Sequence, residues 1–137
     1  MIRRLGVERD IVIVACAVSA GIHGALVPDH LEESTASGLG FAVSTVLLAV
    51  LAVWLTLGSG KLALAAAAAV LAGLLVSYGL AITIGFPVLH PEPEPVDALA
   101  LATKAIEVVG LAAVGHLLLS GRPRLALLTL RPKGTTT

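Results

Sequence analysis

The sequence predicts an all-α integral membrane protein, an antiparallel bundle of four transmembrane helices. Of its 137 residues, 57% are hydrophobic and only 13% are charged, and the mean hydropathy is +0.99. Ordinary soluble domains are about 45–50% apolar and about 25% charged. Four long apolar segments and a one-sided distribution of Lys and Arg lead to the same fold class. The length of the chain fits one domain that covers residues 1–137.

Four apolar segments come close to the roughly 20 residues that a helix needs to span a bilayer. The first includes residue 28 only if the helix continues through Pro28 with a kink. Otherwise residues 28–34 are expected to begin a short interfacial helix, because proline is favoured at a first helical position. Residues 90–95 alternate with proline and are predicted to be extended. The predicted spans are about 11–28, 39–57, 62–86 and 96–120.

The basic residues predict how the bundle is oriented. Eight of the nine Lys and Arg residues lie before the first span, in the turn between the second and third spans, or after the fourth. Cytoplasmic loops of membrane proteins carry an excess of Lys and Arg. Both termini are therefore expected to be cytoplasmic in a bacterial-type plasma (inner) membrane. The other two loops carry Asp and Glu and are expected to face outward.

Charge and cysteine content narrow the partners. The formal net charge is zero, which argues against nucleic acid as a partner and leaves the lipid bilayer as the expected surrounding. Cys16 is the only cysteine, so no intramolecular disulfide can form. The apolar run before Cys16 is too short for a signal-peptide core. We therefore interpret Cys16 as a buried packing residue.

The fourth span carries two ionisable residues near its middle, Lys104 and Glu107. Charged groups at such a depth are costly, and they usually face a protein interior or a wet cavity. The two residues are three apart and can pair on one helix face. They either neutralise each other and only fix the rotation of the helix, or they handle a ligand or a proton.

Polar residues of all four spans fall at similar depths in the outer half of the predicted bundle. Depth is counted inward from the outer end of each span at about 1.5 Å per residue. Ser44, Thr45 and Ser77 belong to this layer, whereas Ser19, Thr56 and His116 are assigned to the inner half. The layer predicts an outward-facing pocket that handles protons, a divalent metal ion or a small ligand. Its predicted lining residues are His23, Tyr78, Lys104 and Glu107.

A metal site is a further hypothesis for the outer surface. His30 and Glu33 are one helical turn apart, the spacing of paired metal ligands on a helix. With His90 and Asp97 they could form a nitrogen-and-oxygen site for zinc, copper(II) or manganese. The alternative is an acidic rim that attracts cations without a fixed site. A transmembrane haem does not fit, because the histidines of the spans are predicted near opposite ends of the bundle.

Two other functions stay open from the sequence. The protein could be a non-catalytic accessory subunit of a larger respiratory or transport complex, or a homo-oligomer. Small residues four apart, Ala20 with Gly24 and Gly73 with Ser77, would then form docking faces. It could also be an enzyme that acts on lipid or quinone at the outer leaflet, with His23 and Glu107 as the acid–base pair. No phosphate loop or nucleophile motif supports an enzyme.

Overall fold

A computed structural model describes residues 2–58, 60–85 and 93–120, with side chains from Gly6 onward. The regular structure of these residues is entirely helical, as predicted. Three of the helices have 23 residues, a length of about 35 Å against a hydrocarbon core of about 30 Å. All four are long and apolar enough to cross a membrane. The helices are α1 (Ile2–Glu33), α2 (Thr35–Leu57), α3 (Lys61–Thr83) and α4 (Ala98–Ser120).

The connection between α1 and α2 differs from the prediction. Helix α1 continues through Pro28 to Glu33, so no separate interfacial helix forms. A proline inside a helix removes only one hydrogen bond of its own, and the helix resumes beyond it. Helix α2 begins earlier than predicted because Ser34 is its N-cap. The Ser34 hydroxyl accepts a hydrogen bond from the Ser37 backbone N–H at 3.0 Å, which satisfies a donor of the first turn.

The connection between α3 and α4 is held at both of its ends. Helix α3 is followed by Gly85 with a φ of 66°, a left-handed conformation that glycine adopts without strain. Residues 93–97 have no regular structure, and the Glu94 backbone N–H donates to the Ala81 carbonyl at 3.1 Å. Asp97 caps α4, since its Oδ1 accepts from the Ala100 N–H at 2.7 Å. The predicted extended segment lies partly outside the described residues, because residues 86–92 do.

The helices pack in a ring, in chain order. Helix α1 packs against α2 and α4, and α3 packs against α4 and, less extensively, against α2. Ser19 on α1 contacts Glu107 on α4, and Glu8 contacts His116. A higher residue number on α1 thus meets a lower one on α4, so these two helices are antiparallel. This arrangement surrounds a central space to which all four helices contribute.

The apolar core is concentrated in the half of the bundle nearer the turn between α2 and α3. On each helix its residues recur at three- or four-residue spacing, which places them on one helix face. Cys16 is fully buried among them. Large apolar side chains outside the core, such as Val50 and Val108, are more than half exposed. The core residues are Val12, Cys16, Ala20, Leu48, Leu51, Ala52, Leu55, Ala63, Leu64, Ala67, Leu71 and Val114.

The exposed apolar surface fits a lipid environment. Soluble proteins seldom expose large contiguous apolar patches, whereas helices that cross a bilayer present such side chains to lipid. Four long apolar helices with this surface indicate a small multi-pass membrane protein. Its orientation and the identity of its membrane stay predictions.

One of the two small-residue faces is used inside the bundle. A Cβ added at Gly24 would lie 3.2 Å from Cγ2 of Thr45, so the glycine allows close approach of α1 and α2. Ala20 belongs to the core. Thr45 therefore packs toward α1, although the predicted polar layer included it. On α3, a Cβ at Gly73 would meet nothing within 4 Å, so that face has open space beside it.

Candidate functional site

The centre of the site is Glu107, whose side chain is completely buried. Its Oε1 accepts a hydrogen bond from the Ser19 hydroxyl of α1 at 2.7 Å. Its Oε2 accepts from Lys104 Nζ, also at 2.7 Å. Hydrogen bonds that involve an ionised group are among the strongest in proteins. Glu107 is thus bonded across helices by Ser19 and balanced in charge by Lys104.

Lys104 connects this pair to α3. It lies one helical turn before Glu107, and its side chain is only 15% exposed. Its Nζ lies 5.4 Å from the centroid of the Tyr78 ring, within the range of a cation–π contact. A lysine ammonium has three N–H donors, and Glu107 accepts one of them. Further donors of Lys104 can therefore serve a ligand.

His23 joins the same network through Ser19. The histidine is 6% exposed, and its Nδ1 lies 2.9 Å from the Ser19 carbonyl oxygen and 3.3 Å from the Ser19 hydroxyl. A carbonyl only accepts, so Nδ1 carries the hydrogen and donates it. The bond made by one ring nitrogen determines the role of the other. Nε2 is therefore the His23 atom that is left to meet a ligand.

A cavity of about 450 Å³ lies between the four helices, in the half away from the apolar core. Ligand pockets typically measure about 300–1,000 Å³. Glu107 does not line the cavity but is bonded to Lys104, which does. The cavity extends to the connection between α3 and α4, where Glu94 and Asp97 line it. Its other polar lining includes His23, His30, Ser37, Ser44, Ser77, Tyr78 and Lys104.

The Tyr78 hydroxyl has an unusual position. It is buried and has no hydrogen-bond partner among the described residues, although Tyr78 lines the cavity. Buried polar groups nearly always have a partner, and an exception needs an explanation. A ligand in the cavity would supply that partner.

Phe41 of α2 separates the two histidines of α1. The His30 ring stacks on Phe41 with centroids 3.7 Å apart, and the His23 ring lies 5.3 Å from it at a tilt. His30 Nδ1 donates to the Leu26 carbonyl at 2.9 Å. The two histidines therefore line one wall of the cavity on either side of an aromatic ring.

The predicted metal site is not formed by the described residues. Among them, no group of three or more His, Cys, Asp or Glu side chains could hold a metal ion. His30 is stacked on Phe41, Glu33 is exposed, and the Asp97 carboxylate caps α4. His90 lies outside the described residues. The zinc, copper(II) or manganese hypothesis thus gains no support from this arrangement.

Asp97 should therefore act mainly as a helix cap. We expect Asp97→Ala to lower the free energy of unfolding by about 1 kcal/mol, because a backbone donor of α4 loses its acceptor. Asp97→Asn should have little effect, since asparagine caps equally well. Unfolding by SDS in mixed micelles measures both variants. A loss in Asp97→Asn as large as that in Asp97→Ala would contradict the capping role.

Ser19 is the site residue that sequence reasoning missed. It was assigned to the inner half, whereas the structure places its hydroxyl against Glu107. Ser19 lies nine residues before Pro28, and Lys104 lies nine residues after Pro95. The depth count that selected Lys104 therefore also selects Ser19. The signal was present in the sequence and was not used.

A second polar contact lies at the opposite end of the bundle. His116 Nδ1 is 2.9 Å from Glu8 Oε1, between α4 and α1. The His116 side chain is 63% exposed. The sequence offered no reason to pair these two residues, which are more than a hundred positions apart. This contact is remote from His23 and does not belong to the cavity.

The four predicted pocket residues are thus brought together, three of them on the cavity wall and Glu107 behind it. Comparison with protein-family models, with curated proteins and with solved structures finds no match to this chain. The function must therefore be argued from the chemistry of the cavity and of the ion pair.

Proposed function

We propose that this protein is a ligand-binding membrane protein in which Glu107 exchanges a proton with the cavity. The observation that supports it most is the fully buried carboxylate of Glu107, bonded to Ser19 and Lys104. Lys104 itself lines the cavity, together with His23 and Tyr78. An ionisable group inside a membrane bundle, next to a cavity, is typical of a ligand or proton pathway.

A purely structural role accounts poorly for the pair. Removing two charges from water costs several kcal/mol per ion, and well-packed apolar residues often stabilise a fold better than a buried ion pair. Lys104 and Glu107 lie on the same helix, so their mutual attraction does not join helices. Only the bond from Ser19 does so. The pair is better explained by a change in its charge during function.

Two routes connect the cavity with the Glu107 carboxylate. One passes through Lys104, which touches both. The other passes from His23 through the Ser19 hydroxyl, which can both donate and accept. From α1, Cys16 is also buried one turn from Ser19, and from α3, Tyr78 faces Lys104. When Glu107 takes up a proton, its new O–H can donate to Ser19 while Lys104 turns toward a ligand.

The proposal includes a direction. The cavity mouth, with Glu94 and Asp97, lies at the end of the bundle that the positive-inside rule places outside. The other half contains the packed apolar core. Ligands and protons would then enter from outside and stop at Lys104 and Glu107.

Infrared difference spectroscopy tests the proton exchange. On acidification of the protein in lipid, a carbonyl stretch of a protonated carboxyl in an apolar setting should appear, and deuterated buffer should shift it. Glu107→Gln should abolish this band. Glu33→Gln, at an exposed carboxylate that does not line the cavity, is the matched control and should keep it. An unchanged band in Glu107→Gln, or a wild-type protein without the band, would refute the proposal.

A further inference from the structure

We infer that the cavity binds a neutral, lipid-soluble carbonyl compound of the quinone class, with a carbonyl oxygen at Tyr78 and Lys104. This inference rests on the proposed ligand-binding function and names the class of ligand. Three features of the cavity carry it: the balance of charge, the unused hydrogen-bond donors and the apolar walls with their access to lipid.

The balance of charge favours a neutral ligand. At the deep end of the cavity, Lys104 and Glu107 form a salt bridge and cancel each other. At the mouth, the carboxylates of Glu94 and Asp97 line the cavity and repel anions. A cation would have to approach the ammonium of Lys104. A neutral ligand meets neither cost.

The unused donors favour a ligand that accepts hydrogen bonds. The Tyr78 hydroxyl is buried without a partner among the described residues. Lys104 Nζ lies over the ring of the same tyrosine and keeps donors beyond the one that Glu107 accepts. Two donors on facing helices thus point to one region of the wall. A carbonyl oxygen has two lone pairs and can accept from both.

The walls favour a ligand with a large apolar part. Between the polar groups, the lining is aliphatic and aromatic, with Leu26, Phe41, Leu74 and Leu99. The cavity takes residues from both α2 and α3, the neighbours that pack least against each other. Gly40 on α2 and Ser77 on α3 line the cavity and are exposed. A compound dissolved in the bilayer can therefore enter sideways between these two helices and avoid the acidic mouth.

Binding of decylubiquinone to the full chain in mild detergent, followed by calorimetry, tests the inference. Wild-type protein should bind it saturably. Tyr78→Phe should weaken binding about three- to tenfold, the effect of one lost hydrogen bond. The same variant should be at least as stable as wild type without ligand, because the removed hydroxyl has no partner. Stability and binding thus change separately in one variant.

Two controls complete the test. Thr56→Val removes a hydroxyl from α2 that bonds only to the Ala52 carbonyl and lies outside the cavity, so it should keep the affinity of wild type. Octanoate, a carboxylate with an apolar chain, should not compete with decylubiquinone. Absence of decylubiquinone binding, unchanged affinity in Tyr78→Phe, or competition by octanoate would each overturn the inference. The Glu107 infrared band is recorded without any quinone, so the proposed proton exchange stands or fails separately.

Discussion

Lys104→Met is expected to lower the free energy of unfolding by about 3–5 kcal/mol, because it leaves a buried carboxylate without its counter-charge. Glu107 is completely buried, and after the substitution only the Ser19 hydroxyl would bond to it. Unfolding by SDS in mixed micelles at neutral pH measures the loss. A variant as stable as wild type would show that Glu107 is not ionised in the folded protein.

A double variant separates stability from function in this pair. Lys104→Met combined with Glu107→Gln removes both charges and should recover most of the lost stability, because neither partner is left unpaired. The amide can still accept from Ser19. The double variant should nevertheless lack the infrared band of Glu107. If the double variant is no more stable than Lys104→Met, the loss comes from packing of the lysine stem and not from the unpaired charge.

The second large effect is expected at Gly110, where α4 approaches α1. A Cβ added there would lie 2.7 Å from the Ala15 Cβ and 3.3 Å from Leu71 Cδ1. Gly110→Ala should therefore force the helices apart and lower the free energy of unfolding by about 1–3 kcal/mol. Small residues at such positions allow close helix packing in membranes. The same SDS titration measures this change.

The matched control lies five residues further along the same helix. A Cβ at Gly115 would meet nothing within 4 Å, so Gly115→Ala should be neutral or stabilise by up to about 1 kcal/mol, as alanine favours helix. The pair compares the same chemical change with and without a neighbour. Equal effects at both positions would contradict the close approach of α1 and α4.

The helices were predictable because lipid imposes a simple requirement on the chain. Each span must satisfy its backbone internally, and that requires about 20 apolar residues, which can be counted. Helix ends were less predictable. Pro28 and the small polar residues after it look like a loop, but Ser34 alone makes the turn by capping α2. A cap depends on one hydrogen bond, which hydropathy does not report.

Depth in the bundle was also predictable, whereas rotation about the helix axis was not. His23, Tyr78 and Lys104 line one cavity, in agreement with the depth count. Thr45 has a similar depth but faces Gly24 of α1. A helix that is apolar on all sides has no periodicity to show which face is inward. Whether the cavity residues bind a ligand or carry a proton stays a prediction.

The uneven packing of the bundle has a mechanical consequence. Tightly packed interiors are stiff, and here the tight packing lies in one half, next to the short link between α2 and α3. That end acts as a pivot for the two arms that extend from it. A small rotation at the pivot becomes a displacement of several ångströms at the tips, as in a pair of tweezers. The chain thus has a gripping geometry in which its rigid part never touches what is held.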